Sequence, residues 1–521
     1  MKKLLCACLV IAMLVTLTAC GGKDGEKTSG EKIVLNVHMN GDPVAIDPAF
    51  AYDNASSLVV NQITESLLTH NQDNTLKPNL CKSFEATDPC TYVYQIRDDV
   101  TFSDGTPMTM DDVIYSIRRH LDADLGSYMN WFFANVTSVE ATGEWEMTIK
   151  LAEPQATWQY VLATSAGMIV QKKFCEEHAG EVGSVSVGII GTGPFVFEKW
   201  ENGSKVILKK NENYWDADSV TLEKLNLRFI LDTATALTAY ESGTVDGIRS
   251  IPTADYARLK VSGAGVDTVS NYGTVYYNIN CSAAPYDNPL VRKALNLAID
   301  RKALIENVVQ LDATPAYSFL APGYTVDGKD ITDGRGTFGM SETADVEGAK
   351  AALAEAGYPN GEGFPTLKLS YYSNDTVKKI VEAMAEMFKN NLNIDVEISS
   401  NDWAVYYSSI QSGDYEVGAM GWSADYLNPM SFLPLFKTGD STNNAFYSNS
   451  EYDTLVNQVM QETDPAVAAE LTIKADEIVS SDYVCLPLYY KTNDYLMKDY
   501  VTGVYMIASG NMYFKDAKVN K

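Results

Sequence analysis

The side chains best suited to metal or redox chemistry in this sequence are four histidines, His38, His70, His120 and His178, and eight cysteines; their spacing serves neither chemistry. No HExxH, HxH or CxxC occurs, and Cys175 with His178 is a lone pair without the further ligands of a tetrahedral zinc site. Cys6 and Cys8 lie in an apolar N-terminal run. Of Cys81, Cys90, Cys175, Cys281 and Cys485, only Cys81 and Cys90 are near enough in sequence for an easy bridge, and a chain of this size does not need one to stabilise its core. Gly191-Thr192-Gly193-Pro194 could cradle an anion, but glycines before a proline also make a plain turn, and neither GxGxxG nor the GxxxxGK phosphate loop is present. Hydrolysis needs a fixed nucleophile or carboxylate pair; 68 Asp and Glu make a pair easy to assemble, yet no GxSxG fixes one. No metal and no cofactor is implied. There remains a block of aromatic and acidic side chains, Trp422-Ser423-Ala424-Asp425-Tyr426, with Asn428-Pro429 just after it. Asn428 is placed to N-cap a helix that Pro429 begins. Asp425 then either makes an Asx turn ahead of that helix or offers a carboxylate to a cation.

The elements that must position this block alternate between strand and helix. Ile33-Val34-Leu35-Asn36-Val37 predicts a buried strand, and Tyr92, Tyr94 and Ile96 alternate with Val93 and Gln95 as a strand with one buried face. Ser103-Asp104-Gly105-Thr106-Pro107 supplies a turn. Thr109 then caps a helix that carries Asp111 and Asp112 in its first turn and runs to His120. Strands are predicted around 136–139 and 145–149, and Phe195-Val196-Phe197 and Val206-Ile207-Leu208 flank the hairpin signal Glu201-Asn202-Gly203-Ser204. One helix runs from about Asp345 to Ala356 and stops at Gly357. Another has Val377, Ile380, Val381, Met384 and Phe388 on one face and leads into the strand of Ile394, Val396 and Ile398. The mixture predicts an α/β fold in more than one lobe.

Composition narrows the function classes. The 521 residues carry a net charge of −28, which excludes a nucleic-acid binder that works through a global basic field. At 46% hydrophobic and 21% charged the chain can bury a sizeable core, and 31 tyrosines against 17 Phe and 7 Trp fit a wet binding surface. The N-terminus resembles a bacterial lipoprotein signal: Met1-Lys2-Lys3 is a basic start, Leu4 to Thr18 an apolar run too short to span a membrane comfortably, and Leu17-Thr18-Ala19-Cys20 a lipobox. That likeness implies a lipid on Cys20 after removal of 1–19. The Gly-, Lys- and Glu-rich stretch over 20–32 reads as a flexible tether.

Several blocks in order resemble the extracellular solute-binding proteins of peptide and nickel ABC transporters, the oligopeptide- and dipeptide-binding family. They are Leu76-Lys77-Pro78-Asn79-Leu80; Tyr92 to Pro107 with Asp111-Asp112-Val113; Gly191 to Phe195 with Asn211-Glu212-Asn213-Tyr214-Trp215; Tyr277-Asn278-Ile279-Asn280 with Val291-Arg292-Lys293-Ala294-Leu295 and Ala298-Ile299-Asp300-Arg301; Ala356-Gly357-Tyr358; and Gly421 to Pro429. The resemblance implies a two-lobed α/β fold of the type II periplasmic binding protein (Venus-flytrap) kind with an extra domain inserted into the first lobe. The expected division is 33–58, 186–272 and 486–521 for the core of lobe 1, 59–185 for the inserted domain and 273–485 for lobe 2, with crossings near 270–275 and 485–490.

The same resemblance implies a monomeric, non-enzymatic binder, lipid-anchored on the extracytoplasmic face of a Gram-positive cell. It would capture oligopeptides and deliver them to permease subunits driven by partner ATPases. Asp425 matches the aspartate that pairs with a peptide's α-ammonium in oligopeptide binders, Trp422 stands three residues before it, and Trp403 aligns with a second aromatic of the cleft. A buried ammonium needs a carboxylate at a fixed place, because leaving it unpaired in a low dielectric is costly. Further candidates are Tyr52, Tyr272 and Tyr489, each equally able to serve as a packing tyrosine. One departure bears on the other end of the ligand: no Lys or Arg occurs between Lys389 and Lys437, where some peptide binders carry arginines. A basic residue elsewhere, solvent, or a ligand without a standard C-terminus are the alternatives. Relatives of this fold that take nickel complexes, haem or oligosaccharides, and more remotely a secreted hydrolase, are the rival readings.

Overall fold

The apolar stretch that begins at Ile33 forms the strand Val34–Met39 in a computed structural model of the protein, which describes residues 33–521. The expected signal at 1–19, the tether at 20–32 and Cys20 lie outside the described residues. Leu35, Val37 and Met39 of this strand are fully buried. It pairs in parallel with Lys224–Phe229 and Gly247–Ile248, and the hairpin of Phe195–Glu201 and Lys205–Lys210 closes that edge of the sheet. The turn falls at Glu201–Ser204, where Gly203 has φ +71°.

A second group of strands, Leu367–Tyr372 between Val396–Asn401 and Val417–Ser423, is parallel and packed by the helix Asp375–Leu392. That helix buries Ile380, Val381, Met384 and Phe388 and ends at Asn393 in the left-handed conformation. The helix Val346–Glu355 is N-capped by Asp345, as its sequence predicts.

Two long antiparallel strands, Val266–Ile279 and Cys485–Met497, run through both groups and join them into one sheet. Their ladder shifts register twice, between Ser270 and Thr274 and again between Val275 and Tyr276, and the first shift is the wider. Val266–Ser270 faces Leu496–Thr492, pairing resumes with Thr274 opposite Tyr490, and Asn271, Tyr272 and Gly273 pass Lys491 without register. Tyr272 takes φ +48° at this break. Gly273 is required there by contact, since a Cβ would stand 2.6 Å from the Trp422 carbonyl oxygen and 2.8 Å from Asn271 Oδ1. Along the strand Cys485–Met497, Leu486 and Leu488 pack in one core with Leu295, Leu369 and Val417, whereas Tyr495 and Met497 pack in another with Leu35 and Leu225.

The inserted part is a four-stranded antiparallel sheet in the order Cys81–Asp88, Thr91–Ile96, Glu146–Leu151, Val136–Gly143. The helix Met110–Arg118 packs beside it and starts at a capping box in which Thr109 and Asp112 satisfy each other's backbone N–H groups. Its own core runs from Leu67 to Ile169 around Tyr92, Tyr94 and Trp158, whereas Val59, Ile63, Val170 and Cys175 pack with the first lobe. Two ties fasten it there. Arg119 forms a bidentate ion pair with Asp47 at 3.0 and 2.6 Å, both side chains buried. Glu65 accepts hydrogen bonds from Tyr214 Oη and Trp215 Nε1, each at 2.8 Å. All five described cysteines are free thiols. Cys81 pairs with Ile96 at the open end of a hairpin whose turn holds Cys90, so the two are a strand's length apart. No helix of the described residues is long and apolar enough to cross a membrane.

Candidate ligand cleft

The block from Trp422 to Pro429 leaves the end of the strand Val417–Ser423 and bends back on itself around Ser431. The Asp425 backbone N–H donates to Ser431 Oγ at 2.8 Å, that hydroxyl donates to Asp425 Oδ2 at 3.4 Å, and Trp422 Nε1 donates to the Ser431 carbonyl at 2.7 Å. Asn428 does act as a cap, its Oδ1 accepting from Met430 N at 2.9 Å, but the element it caps is a single 3-10 turn, Pro429–Ser431. Asp425 therefore takes no part in the cap. Its carboxylate opens into a cleft of about 460 Å³ and, among the described residues, has no cation within ion-pairing distance. The protein around it removes water and lifts its pKa above the ordinary aspartate value, and the Ser431 hydroxyl only partly offsets this.

The facing wall comes from the first lobe and the inserted domain. Tyr52, Tyr128 and Trp131 are 61%, 53% and 56% exposed, unusual for rings of this size, and all three line the cleft. Tyr128 stands edge-on to Tyr52 at 5.0 Å, and Trp131 stacks on Phe132 at 3.7 Å. Asn54, Asn61, Ser509 and Asn511 add uncharged polar groups, and His70, held near pKa 4 by burial, is neutral. Phe132 meets Tyr426 at 6.2 Å across the cleft. A second space, about 530 Å³, lies between residues 156–160 of the inserted domain and 459–472 of the second lobe. Beside it Ala156 N donates to the Met460 carbonyl at 2.9 Å and Tyr160 Oη meets Tyr324 Oη at 3.1 Å.

Of the residues singled out in the sequence, Asp425 and Tyr52 line the first cleft from opposite lobes. Trp422 lies behind Asp425 and fixes its loop. Tyr272 is fully buried at the strand break against Phe432, its hydroxyl unpartnered. Trp403 opens the helix Trp403–Ser412, half exposed, stacked on Tyr407 at 5.2 Å and edge-on to Tyr372 at 5.1 Å. Tyr489 sits in the sheet between Val275 and Pro315, near Tyr372, with its phenol pushed up to about 12 by burial. Trp403 and Tyr489 thus share an aromatic group of the second lobe outside the lining of the Asp425 cleft. Tyr128 and Trp131 were not anticipated; the local signal is a pair of large aromatics in the Gly- and Ser-bearing loop Leu125-Gly126-Ser127-Tyr128-Met129-Asn130-Trp131.

Comparison with known proteins gives a consistent picture. Residues 75–444 match the profile of the bacterial extracellular solute-binding proteins, family 5. The oligopeptide-binding protein OppA of Bacillus subtilis is 30% identical over 541 residues, covering 98% of each chain. The unliganded open form of MppA, a periplasmic murein tripeptide binding protein, superposes with a TM-score of 0.83 at 26% identity, covering 94% of this chain and 98% of that one. OppA of Haemophilus influenzae in complex with the peptide RPPGFSPFR gives 0.71 at 26% identity, covering 94% and 99%. The fold is accordingly the two-lobed type II periplasmic binding protein fold expected from the sequence.

Proposed function

Because the chain belongs to the bacterial extracellular solute-binding proteins of family 5, we propose that it captures oligopeptides between its lobes and passes them to the permease of an ABC transporter. In this reading it is tethered through a lipid on Cys20 to the outer face of a Gram-positive membrane, and the partner ATPases supply the energy. The observation that carries the ligand class is Asp425: a crowded carboxylate, fixed by Ser431 and Trp422, open to a cleft and without a cation partner among the described residues. A peptide's α-ammonium would complete it. Tyr52, Tyr128 and Trp131 offer faces that accept many side chains, and main-chain groups along the cleft can satisfy peptide bonds without regard to sequence. Trp403, half exposed on the second lobe, would come nearer the ligand as the lobes close, while Tyr272, fully buried, and Tyr489, within the sheet, would support the crossing behind the cleft.

The proposed division keeps the first lobe, the inserted domain and the second lobe of the sequence reading, with the crossings at 271–273 and near 491. The greater likeness to an open, unliganded relative than to a peptide complex supports a hinge that ligand binding closes. The test combines thermal shift with small-angle scattering. Short free-amine peptides are expected to raise the melting temperature and to compact the particle, while N-acetylated peptides, oligosaccharides and nickel chelates do neither. A shift from one of the other pools alone would move the ligand out of the peptide class.

A further inference from the structure

Below Asp425, where the two crossing strands lose register, five elements bring hydrogen-bond donors together without acceptors to match. Lys491 Nζ donates to Ser423 Oγ at 2.6 Å, Ser423 Oγ donates to Asn271 Oδ1 at 2.6 Å, and Asn271 Nδ2 donates to Asn493 Oδ1 at 2.9 Å. Arg249 joins from the first lobe, its Nη2 donating to the Gly510 carbonyl at 2.9 Å, and Gly510 lies against Asn493. In this cluster Arg249 Nε, Asn493 Nδ2, Ser250 Oγ and Ser509 Oγ are buried with no partner. Among the described residues neither Lys491 nor Arg249 reaches a carboxylate within 4.0 Å, although the chain carries 68 acidic residues against 40 basic. Ser423 and Ser509 are part of the cleft lining, so the cluster adjoins the space that Asp425 faces.

Cations in such a place are expensive unless an anion joins them. Loss of water holds the Lys491 ammonium below the ordinary lysine value, and Arg249 falls to about 10 for the same reason. Two cations without a carboxylate partner among the described residues, one of them with an unpartnered Nε, beside three further unpartnered buried polar atoms have the chemistry of an anion receptor, with donors that a carboxylate would satisfy several at a time. We propose that the floor of the cleft is a carboxylate subsite in which Lys491 and Arg249 receive an acidic group of the bound ligand. This rests on the peptide reading and sharpens it: the preferred ligand carries a positive end for Asp425 and a negative group for the hinge. The site draws on both lobes and both crossing strands, so its occupation also bears on closure.

Calorimetry with four tripeptides, Ala-Glu-Ala and Ala-Gln-Ala, each with a free or an amidated C-terminus, separates the two sources of carboxylate. One acidic form is expected to bind about tenfold or more tightly than its neutral counterpart, the size of a charge-assisted pair. Which form does so tells whether a side chain or the C-terminus enters the subsite. Lys491→Met should erase that preference, bringing the affinity of the acidic form down to that of its neutral counterpart in the same variant, and Lys491→Arg should restore it if Lys491→Met folds poorly. Equal affinity for charged and neutral forms in the wild type overturns the subsite and leaves the peptide reading intact. If no peptide binds at all, the peptide reading falls, and the subsite is judged with glutarate alone. It stands if glutarate raises the melting temperature of the wild type but not of Lys491→Met, and falls otherwise.

Discussion

Replacing Asp425 by Asn keeps the shape of the side chain, its contact with Ser431 and the cleft lining, and removes one negative charge. The loop is held by the Ser431 and Trp422 hydrogen bonds, two of which do not involve the carboxylate, so folding should be unaffected. In the closed complex the carboxylate and an α-ammonium would sit in contact with water largely excluded. A pair at about 4 Å is worth roughly 4 kcal/mol at an effective dielectric of 20. Residual solvent and the acceptor that Asn retains reduce the loss to about 2–3 kcal/mol, the range of a charge-assisted hydrogen bond. The expected result is a Kd for free-amine peptides raised by roughly 30- to 150-fold, against less than about threefold for the N-acetylated peptides, which carry no charge to lose. The pH dependence has a definite sign. Free Asp425 titrates above the ordinary aspartate value, and a bound ammonium would draw it down, so wild-type affinity is present above the free-state pKa and is lost as pH falls through it. The Asn variant should bind with no such dependence. Isothermal titration on both proteins decides the matter; equal losses for free and acetylated peptides would refute the ammonium pairing and leave Asp425 a loop residue.

Three further outcomes test the scaffold. Asp47→Asn leaves the buried Arg119 guanidinium without its counter-charge and should cost about 3–5 kcal/mol in urea unfolding, an unchanged midpoint showing that the tie between the inserted domain and the first lobe is dispensable. Glu65, raised from 4.5 to about 7 by burial, binds its proton more tightly folded than unfolded, so its contribution to stability is present near pH 4 and is lost as pH rises through 7; Glu65→Gln should flatten that decline by no more than about 3 kcal/mol, and identical pH profiles would count against it. Gly273→Ala should lower stability by about 1–3 kcal/mol through overpacking against the Trp422 carbonyl, and a melting temperature equal to the wild type would mean the break relaxes freely.

Much of the fold was legible because its signals are local. Thr109 and Asp112 are three residues apart and satisfy each other; Asn202-Gly203 has one good use between two apolar runs; the face of Val377, Ile380, Val381, Met384 and Phe388 repeats with the helix. The position of Asp425 in the cleft was legible for a different reason, a resemblance carried by many blocks in order. Its freedom from capping followed from Asn428, which the structure shows doing that work. The aromatic wall was not legible. Tyr128 and Trp131 look like any two rings of a loop until the inserted domain sets them across from the second lobe. Trp403 and Tyr489 show the converse, since a ring at the start of a helix or within a strand gives no sign of which space it will face.

The hinge floor was hidden by distance along the chain. Arg249, Asn271, Ser423, Lys491 and Ser509 come from five segments, and each alone reads as an ordinary polar residue at the end of an element. What the sequence does show is the lack: no Lys or Arg between Lys389 and Lys437, the stretch that holds the carboxylate proposed to receive an ammonium. A ligand with a free amine commonly brings a carboxylate as well, and net charge −28 gives that group nowhere favourable to rest by default. The break in register at 271–273 leaves Lys491 without a facing residue on the opposing strand, and its Nζ donates to Ser423 Oγ, which lines the cleft. The register shift at the proposed crossing and the positive charge a ligand would meet thus involve the same few residues, so a ligand carboxylate bound at Lys491 and Arg249 would act directly on the proposed joint between the lobes.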